Sequence, residues 1–199
     1  MPKPGVAEHP GDDLWDTIVA ASRQAMERFS ADVKSILGIG LCTIRCCRAC
    51  LKENGRLASP VLNWMDLRLA RPYEHQDPQV RYVTTSSGYI THRFTGQFKD
   101  TAANYEGVWP IDKDTWQWSE DPEVFKAFNV PRENLFKLEM PGSVLGYVSE
   151  RASEETGIPA GIPVVATAND KAVEALGAGL LPGKTALVSL GTYIGGMVY

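Results

Sequence analysis

The chain has 199 residues, 44% hydrophobic and 22% charged, which suits one large domain or one and a fraction. Its 20 Lys+Arg against 24 Asp+Glu give a net charge of -4 without a basic block, which argues against a nucleic-acid partner. No apolar run approaches the roughly 18 residues a membrane-crossing helix needs, and Met1 to Asp13 lacks the charged and apolar regions of a signal peptide, so a cytoplasmic protein is expected.

Met1 to Pro10 carries three prolines and no apolar periodicity, and residues 1–13 are read as a flexible leader. Asp12 or Asp13 is placed to cap a helix whose apolar positions Leu14, Ile18, Val19, Met26 and Phe29 recur at near-helical spacing. Ile36 to Leu41 reads as a short buried strand, and a helix feeding such a strand is the rhythm of α/β proteins. Cys42, Cys46, Cys47 and Cys50 follow within nine residues. If they lie on a continuing strand, residues 42, 46 and 50 share one face and Cys47 takes the other, which favours free core thiols over a metal centre.

Ala49 to Trp64 reads as a hairpin turning at Asn54-Gly55, and Tyr82 to Phe94 as a helix closed by Thr95-Gly96. Lys99 to Trp118 holds Tyr105, Trp109, Trp116 and Trp118, as a packed surface loop or a ligand wall. Short helices are expected at Pro122 to Phe128 and at Ser149 to Thr156, with a strand at Gly146 to Val148 between them. His9, His75 and His92 are expected in solvent. From Ile162 a strand runs to Asp170, a helix of small residues begins near Lys171, and strands at 184–190 and 194–199 flank Gly191-Thr192. Taken alone, Asp170 is most simply an N-cap and Leu-Gly-Thr a plain turn.

Four stretches together resemble the FGGY carbohydrate kinases, of the actin-like (ribonuclease H-like) ATPase superfamily. They are Gly38 through Arg45, Trp64-Met-Asp66-Leu-Arg68, Thr95 through Asn104, and Gly161 through Asp170 to Gly191-Thr192. The resemblance implies an α/β, ribonuclease H-like fold, a mixed sheet flanked by helices. Residues 14–165 would be a sugar-binding domain lacking its first strands, and residues 166–199 the start of a truncated ATP-binding domain. It implies transfer of the γ-phosphoryl of ATP, with Mg2+, to a hydroxyl of a sugar or polyol, a ketopentose being one candidate.

Residue by residue, Asp170 matches the general base, and Arg45, Trp64, Asp66, Arg68 and Asn104 match substrate contacts. Gly191 and Thr192 match the loop that receives the phosphate; no metal ligands are assigned. The chain departs from the family in having no Asp-x-Gly-Thr loop before Leu14, and in carrying Cys46 where several members place a polar or acidic sugar contact. The expected partner is a sugar, with a homo-oligomer as a further expectation. The alternatives are a non-catalytic remnant that binds sugar or pairs with another subunit, and an actin-like ATPase of another branch.

Overall fold

The computed structural model describes residues 3–107, 109–180, 182–183, 185–190 and 194–198. In chain order these form β1 (Glu8–His9), α1 (Asp13–Glu27), β2 (Ile39–Thr43), β3 (Ala49–Leu51), β4 (Val61–Leu62) and β5 (Tyr82–Thr84). There follow α2 (Ser86–Thr95), β6 (Lys99–Thr101), α3 (Pro122–Phe128), β7 (Lys137–Glu139), β8 (Val144–Tyr147) and α4 (Glu150–Thr156). The last four elements are β9 (Pro163–Asn169), α5 (Asp170–Gly177), β10 (Ala186–Leu190) and β11 (Ile194–Val198).

A three-stranded mixed sheet, β2-β9-β8, is the part of the fold that positions the site. β2 runs parallel to β9 from Ile39↔Val164 to Thr43↔Asn169, with an irregularity between Leu41 and Thr43, while β8 lies antiparallel on the other side of β9. Both parallel strands therefore end at the same edge, where α/β proteins open a ligand crevice. Side-chain hydroxyls bolt this edge together: Thr167 donates to the Leu41 carbonyl, and Thr101 of β6 donates to the Thr167 carbonyl.

α1 begins where its pattern predicts, and Trp15 is its fully buried side chain. The expected cap is not made. Asp12 turns its carboxylate to Tyr89 and Arg93 of α2 instead, because a charged partner outbids a backbone N–H that water can satisfy. Arg93 also lies over the Trp15 ring and contacts Glu155, whose carboxylate accepts from Trp15 Nε1 at 2.6 Å. This group joins α1, α2 and α4.

The turn at Asn54-Gly55 forms, with Gly55 at φ +74°, but the flanking segments pair only through isolated bridges such as Leu51↔Leu57. β3 finds its ladder partner in β5, in residues the sequence reading assigns to a helix. Tyr82, Val83 and Thr84 are aromatic or β-branched, and fully burying Val83 favours the sheet, so α2 starts only at Ser86. Gly96 closes α2 in the left-handed conformation, as expected. Ser149 and Gly157 likewise bound α4.

One core cluster joins Trp15, Leu51, Tyr89, Phe94, Phe136, Leu145 and Val164. A second joins Val83, Tyr105, Trp109, Val130 and Leu138. The aromatic stretch thus belongs to the core: Tyr105 meets Trp109 and Trp118 edge-on, with ring centroids 5.1 and 4.9 Å apart.

The histidines and cysteines also correct expectation. His92 stacks on Phe98 at 4.4 Å and packs so closely on Gly55 that a Cβ there would overlap its ring. The strand carrying Cys42 stops at Thr43, and Cys46 lies in the following turn at φ +67°. The four thiols consequently share no face: Cys42 is exposed, Cys46 and Cys50 half-buried and Cys47 buried.

Candidate functional site

The carboxyl ends of β2 and β9 bring together two of the sequence-selected regions. β9 ends in Asn169, and its Oδ1 accepts from the backbone N–H groups of Lys171 and Ala172 at 3.1 and 3.2 Å. Asn169 is therefore the N-cap of α5. Asp170, the first helical residue, is released from the capping role suggested by its sequence position, and among the described residues its half-buried carboxylate has no hydrogen-bond or ion-pair partner. It faces the end of β2: the Cys42 thiol is pushed up by partial desolvation and then by the Asp170 charge.

Across the edge, Thr43 leads into the turn carrying Arg45, an exposed side chain whose loose contact with Glu106 spans 3.9 Å. Next to this turn a cavity of about 330 Å³ is lined by Cys46, Cys47, Trp64, Met65 and Trp109. Trp64 is 50% exposed, so it is not the core residue that an isolated tryptophan usually is. Its indole is available to cover the apolar C–H face of a polyol, while Arg45 offers fork-like donors to hydroxyls.

Three other selected residues have structural partners. Asp66 is 2% exposed and accepts from the Ala7 N–H at 2.8 Å, the Arg68 N–H at 2.9 Å, and the Arg68 guanidinium at 2.8 and 2.7 Å. Its lone pairs are spent on pinning the N-terminal segment, leaving little for a sugar. Arg68 also reaches Glu8 at 2.5 Å. Asn104 is fully enclosed rather than in contact with the crevice, and its amide supports the β2 edge from behind. Gly191 and Thr192 lie outside the described residues; β10 and β11 beside them pair antiparallel from Leu190↔Ile194 outward.

The Asp66 cluster has a pH signature. The Arg68 guanidinium, followed by the two backbone N–H donors, holds the Asp66 carboxyl well below its usual range. A depressed folded-state pKa stabilises above the unfolded value of about 3.9, and that contribution fades as pH falls towards the folded value. Asp66→Asn is expected to cost about 2 kcal/mol at pH 7. In urea unfolding series, the gap between parent and variant should begin to narrow as the pH falls through about 4 towards 3; an equal gap at pH 7 and pH 3 would refute the assignment.

Sequence reasoning missed the polar cluster behind Thr43. Asp100 is fully buried and accepts from Ser87 Oγ, Thr85 Oγ1 and the Thr101 N–H, each at 2.7 Å. Burial pushes its carboxyl up to about 6 against the pull of those donors. The visible signal was four consecutive hydroxyl residues, Thr84 to Ser87, spanning the end of β5 and the start of α2. A larger cavity, about 620 Å³, lies elsewhere, lined by Arg56, His92, Arg93 and Arg151. Arg93 and Arg151 are already paired with Asp12 or Glu155.

The model of the N-terminal domain of FGGY carbohydrate kinases matches residues 69–177, more than half of the chain. The chain belongs to the FGGY family of carbohydrate kinases. An uncharacterized sugar kinase of Escherichia coli (strain K12) is 54% identical to this FGGY chain over 193 residues, covering 97% of it and 39% of the relative. A xylulose kinase of Lactococcus lactis is 29% identical over 114 residues, 57% of the chain and 22% of the relative. Among solved structures, the xylulose kinase from Rhodospirillum rubrum superimposes with a TM-score of 0.77 at 22% identity, covering 94% of this chain and 46% of the other. Plasmodium falciparum glycerol kinase with ADP superimposes with a TM-score of 0.79 at 16% identity, covering 96% and 46%. The FGGY chain thus has the α/β architecture of these kinases and spans less than half the length of each.

Proposed function

We propose that this chain supplies the sugar-binding portion and general base of an ATP-dependent carbohydrate kinase. The observation that carries the reading is Asp170: a carboxylate without a partner among the described residues, at the carboxyl end of a parallel strand pair, with Asn169 taking over the capping. In this reading residues 14–165 bind the sugar and residues 166–199 open the ATP-binding domain, the boundary falling within β9. Arg45 and Trp64 hold the substrate so that one hydroxyl faces Asp170, which accepts its proton as the oxygen attacks the γ-phosphoryl. Gly191 and Thr192 receive the transferring phosphate.

Among the described residues no group of three or more His, Cys, Asp or Glu side chains could cage a metal. In this reading magnesium would be carried largely by nucleotide phosphates, and Asp170 is the carboxylate at this edge that could face it. Bound in that way, magnesium would neutralise charge on the phosphates. The xylulose kinase relatives favour a ketopentose as acceptor. Calorimetry of the chain against D-xylulose, L-fuculose, gluconate and glycerol tests this. D-xylulose should bind best, and Arg45→Ala or Trp64→Ala should weaken it about tenfold or more. No binding of any of the four, or binding indifferent to both substitutions, would overturn the placement of the sugar.

A second reading has one observation in its favour. Ala186, Val188 and Leu190 share a face of the β10–β11 ribbon with Ile194 and Val198, and all five are exposed. That face suits subunit pairing by a non-catalytic protein. A concentration-independent monomer mass in sedimentation would count against it.

A further inference from the structure

The geometry points to Asp100 as a positioning residue for the sugar-facing turn: its carboxylate sets the direction of a hydrogen-bond chain through Ser87 and Asn104 to Thr43, which carries Arg45. The inference rests on the reading of Arg45 as a sugar contact, while the chain itself is independent of that reading. Asp100 offers only acceptors when ionised, so it captures the hydroxyl protons of both Ser87 and Thr85. Ser87 Oγ, its own proton committed, can only accept from its next neighbour. That neighbour is Asn104 Nδ2, at 2.8 Å, and the second proton of the same amide goes to Thr43 Oγ1 at 3.2 Å.

The amide orientation is thereby fixed, leaving Asn104 Oδ1 buried without a partner among the described residues. Such a group is costly unless the rest of the network over-determines it. Thr43 is the last residue of β2, so the hydroxyl held by Asn104 marks the point where regular pairing with β9 gives way to the turn. Asn104 closes a short 3-10 turn, Ala102–Asn104, and Glu106 two residues later faces Arg45. The buried carboxylate thus governs the Arg45 turn from both sides, through Thr43 and through the segment bearing Glu106. The facing titratable neighbour is Tyr105, whose own ionisation burial and then the Asp100 charge suppress.

Cys46 provides a readout that needs no sugar, since its half-buried thiol lies in the turn itself. The full chain would be treated with iodoacetamide and the rate at Cys46 followed by peptide mass spectrometry for the parent, Asp100→Asn, Ser87→Ala and Asn104→Ala. Val83→Ala, a core truncation outside the chain of bonds, controls for general loosening. Expected is an acceleration at Cys46 of about tenfold in the three network variants, the factor that the loss of one buried hydrogen bond allows. Val83→Ala should leave Cys46 near the parent rate at matched loss of thermal stability. Equal acceleration in the control, or none in the network variants, would overturn the inference.

Calorimetry with D-xylulose forms the second arm. Weaker binding in Ser87→Ala together with faster Cys46 alkylation supports both the positioning role and the sugar reading. If Cys46 responds while the parent binds none of D-xylulose, L-fuculose, gluconate and glycerol, the chain of bonds stands and the role of Arg45 as a sugar contact is overturned.

Discussion

Asp170→Asn is expected to reduce sugar-dependent ATP turnover about a thousandfold in a catalytically competent polypeptide containing this domain, with sugar affinity changed less than about threefold. Asparagine keeps the size and the start of α5, and because Asn169 makes the cap, the substitution removes no hydrogen bond seen among the described residues. On the proposed reading, what it removes is the proton acceptor for the sugar hydroxyl. A base that acts as the hydroxyl attacks contributes in the transition state and little in the ground state, so kcat should fall while the sugar dissociation constant holds. Coupled-assay kinetics and calorimetry on the same preparation would check both halves. An active asparagine variant would remove Asp170 from the role of base, and a variant that lost sugar affinity in proportion to turnover would recast it as a binding residue.

Gly88→Ala is expected to destabilise the fold by about 3 kcal/mol, although alanine is the better helix former by about 1 kcal/mol. A Cβ at position 88 would lie 2.0 Å from Thr84 Oγ1, 2.9 Å from Asp100 Oδ2 and 3.1 Å from Phe136 Cδ2. None of the three can step aside cheaply. Thr84 is fully buried and shares a 2.7 Å hydrogen bond with Tyr105, Asp100 holds three donors, and Phe136 is packed in the core. Overpacking therefore outweighs helix propensity, and the damage spreads into the cluster behind Thr43. Guanidinium unfolding would measure it. An alanine variant as stable as the parent would show that α2 has room to shift, and would weaken the view of this cluster as a rigid support.

The Asp66 and Asp100 clusters show opposite uses of a buried carboxylate. Asp66 is held ionised by a guanidinium and ties the N-terminal segment to the turn after β4. Asp100 has neutral donors only, and burial pushes it up to about 6. The first is a fastening and the second a polarity reference for its neighbours' hydroxyl protons. Both came from residues of the same type in ordinary-looking stretches, and composition distinguishes neither.

Much of the architecture was legible because it rests on local physics. α1 follows its apolar spacing, α4 starts and stops at Ser149 and Gly157, α2 ends at Gly96, and the strand before Asp170 follows from a run of small and β-branched residues. The motif order from Gly38 to Asp170 was enough to suggest the family before any fold was seen. Where local signals competed with packing, packing decided. Tyr82 to Thr84 left the helical pattern to pair with β3, the cysteine segment broke into a turn at Cys46, and His92 left solvent for a ring stack.

The sequence by itself determined most of the helix ends and the α/β rhythm, since each depends on neighbours a few positions away. Only the tertiary structure decided which carboxylate lacks a partner among the described residues. That Asn169 caps α5 and leaves Asp170 open, that Asp66 spends its lone pairs on Ala7 and Arg68, and that Asn104 works from behind Thr43 all depend on partners distant in sequence or on the exact direction of a side chain. Hydrogen-bond capacity is limited and directional, so each group's role was settled by what folding placed within about 3 Å of it.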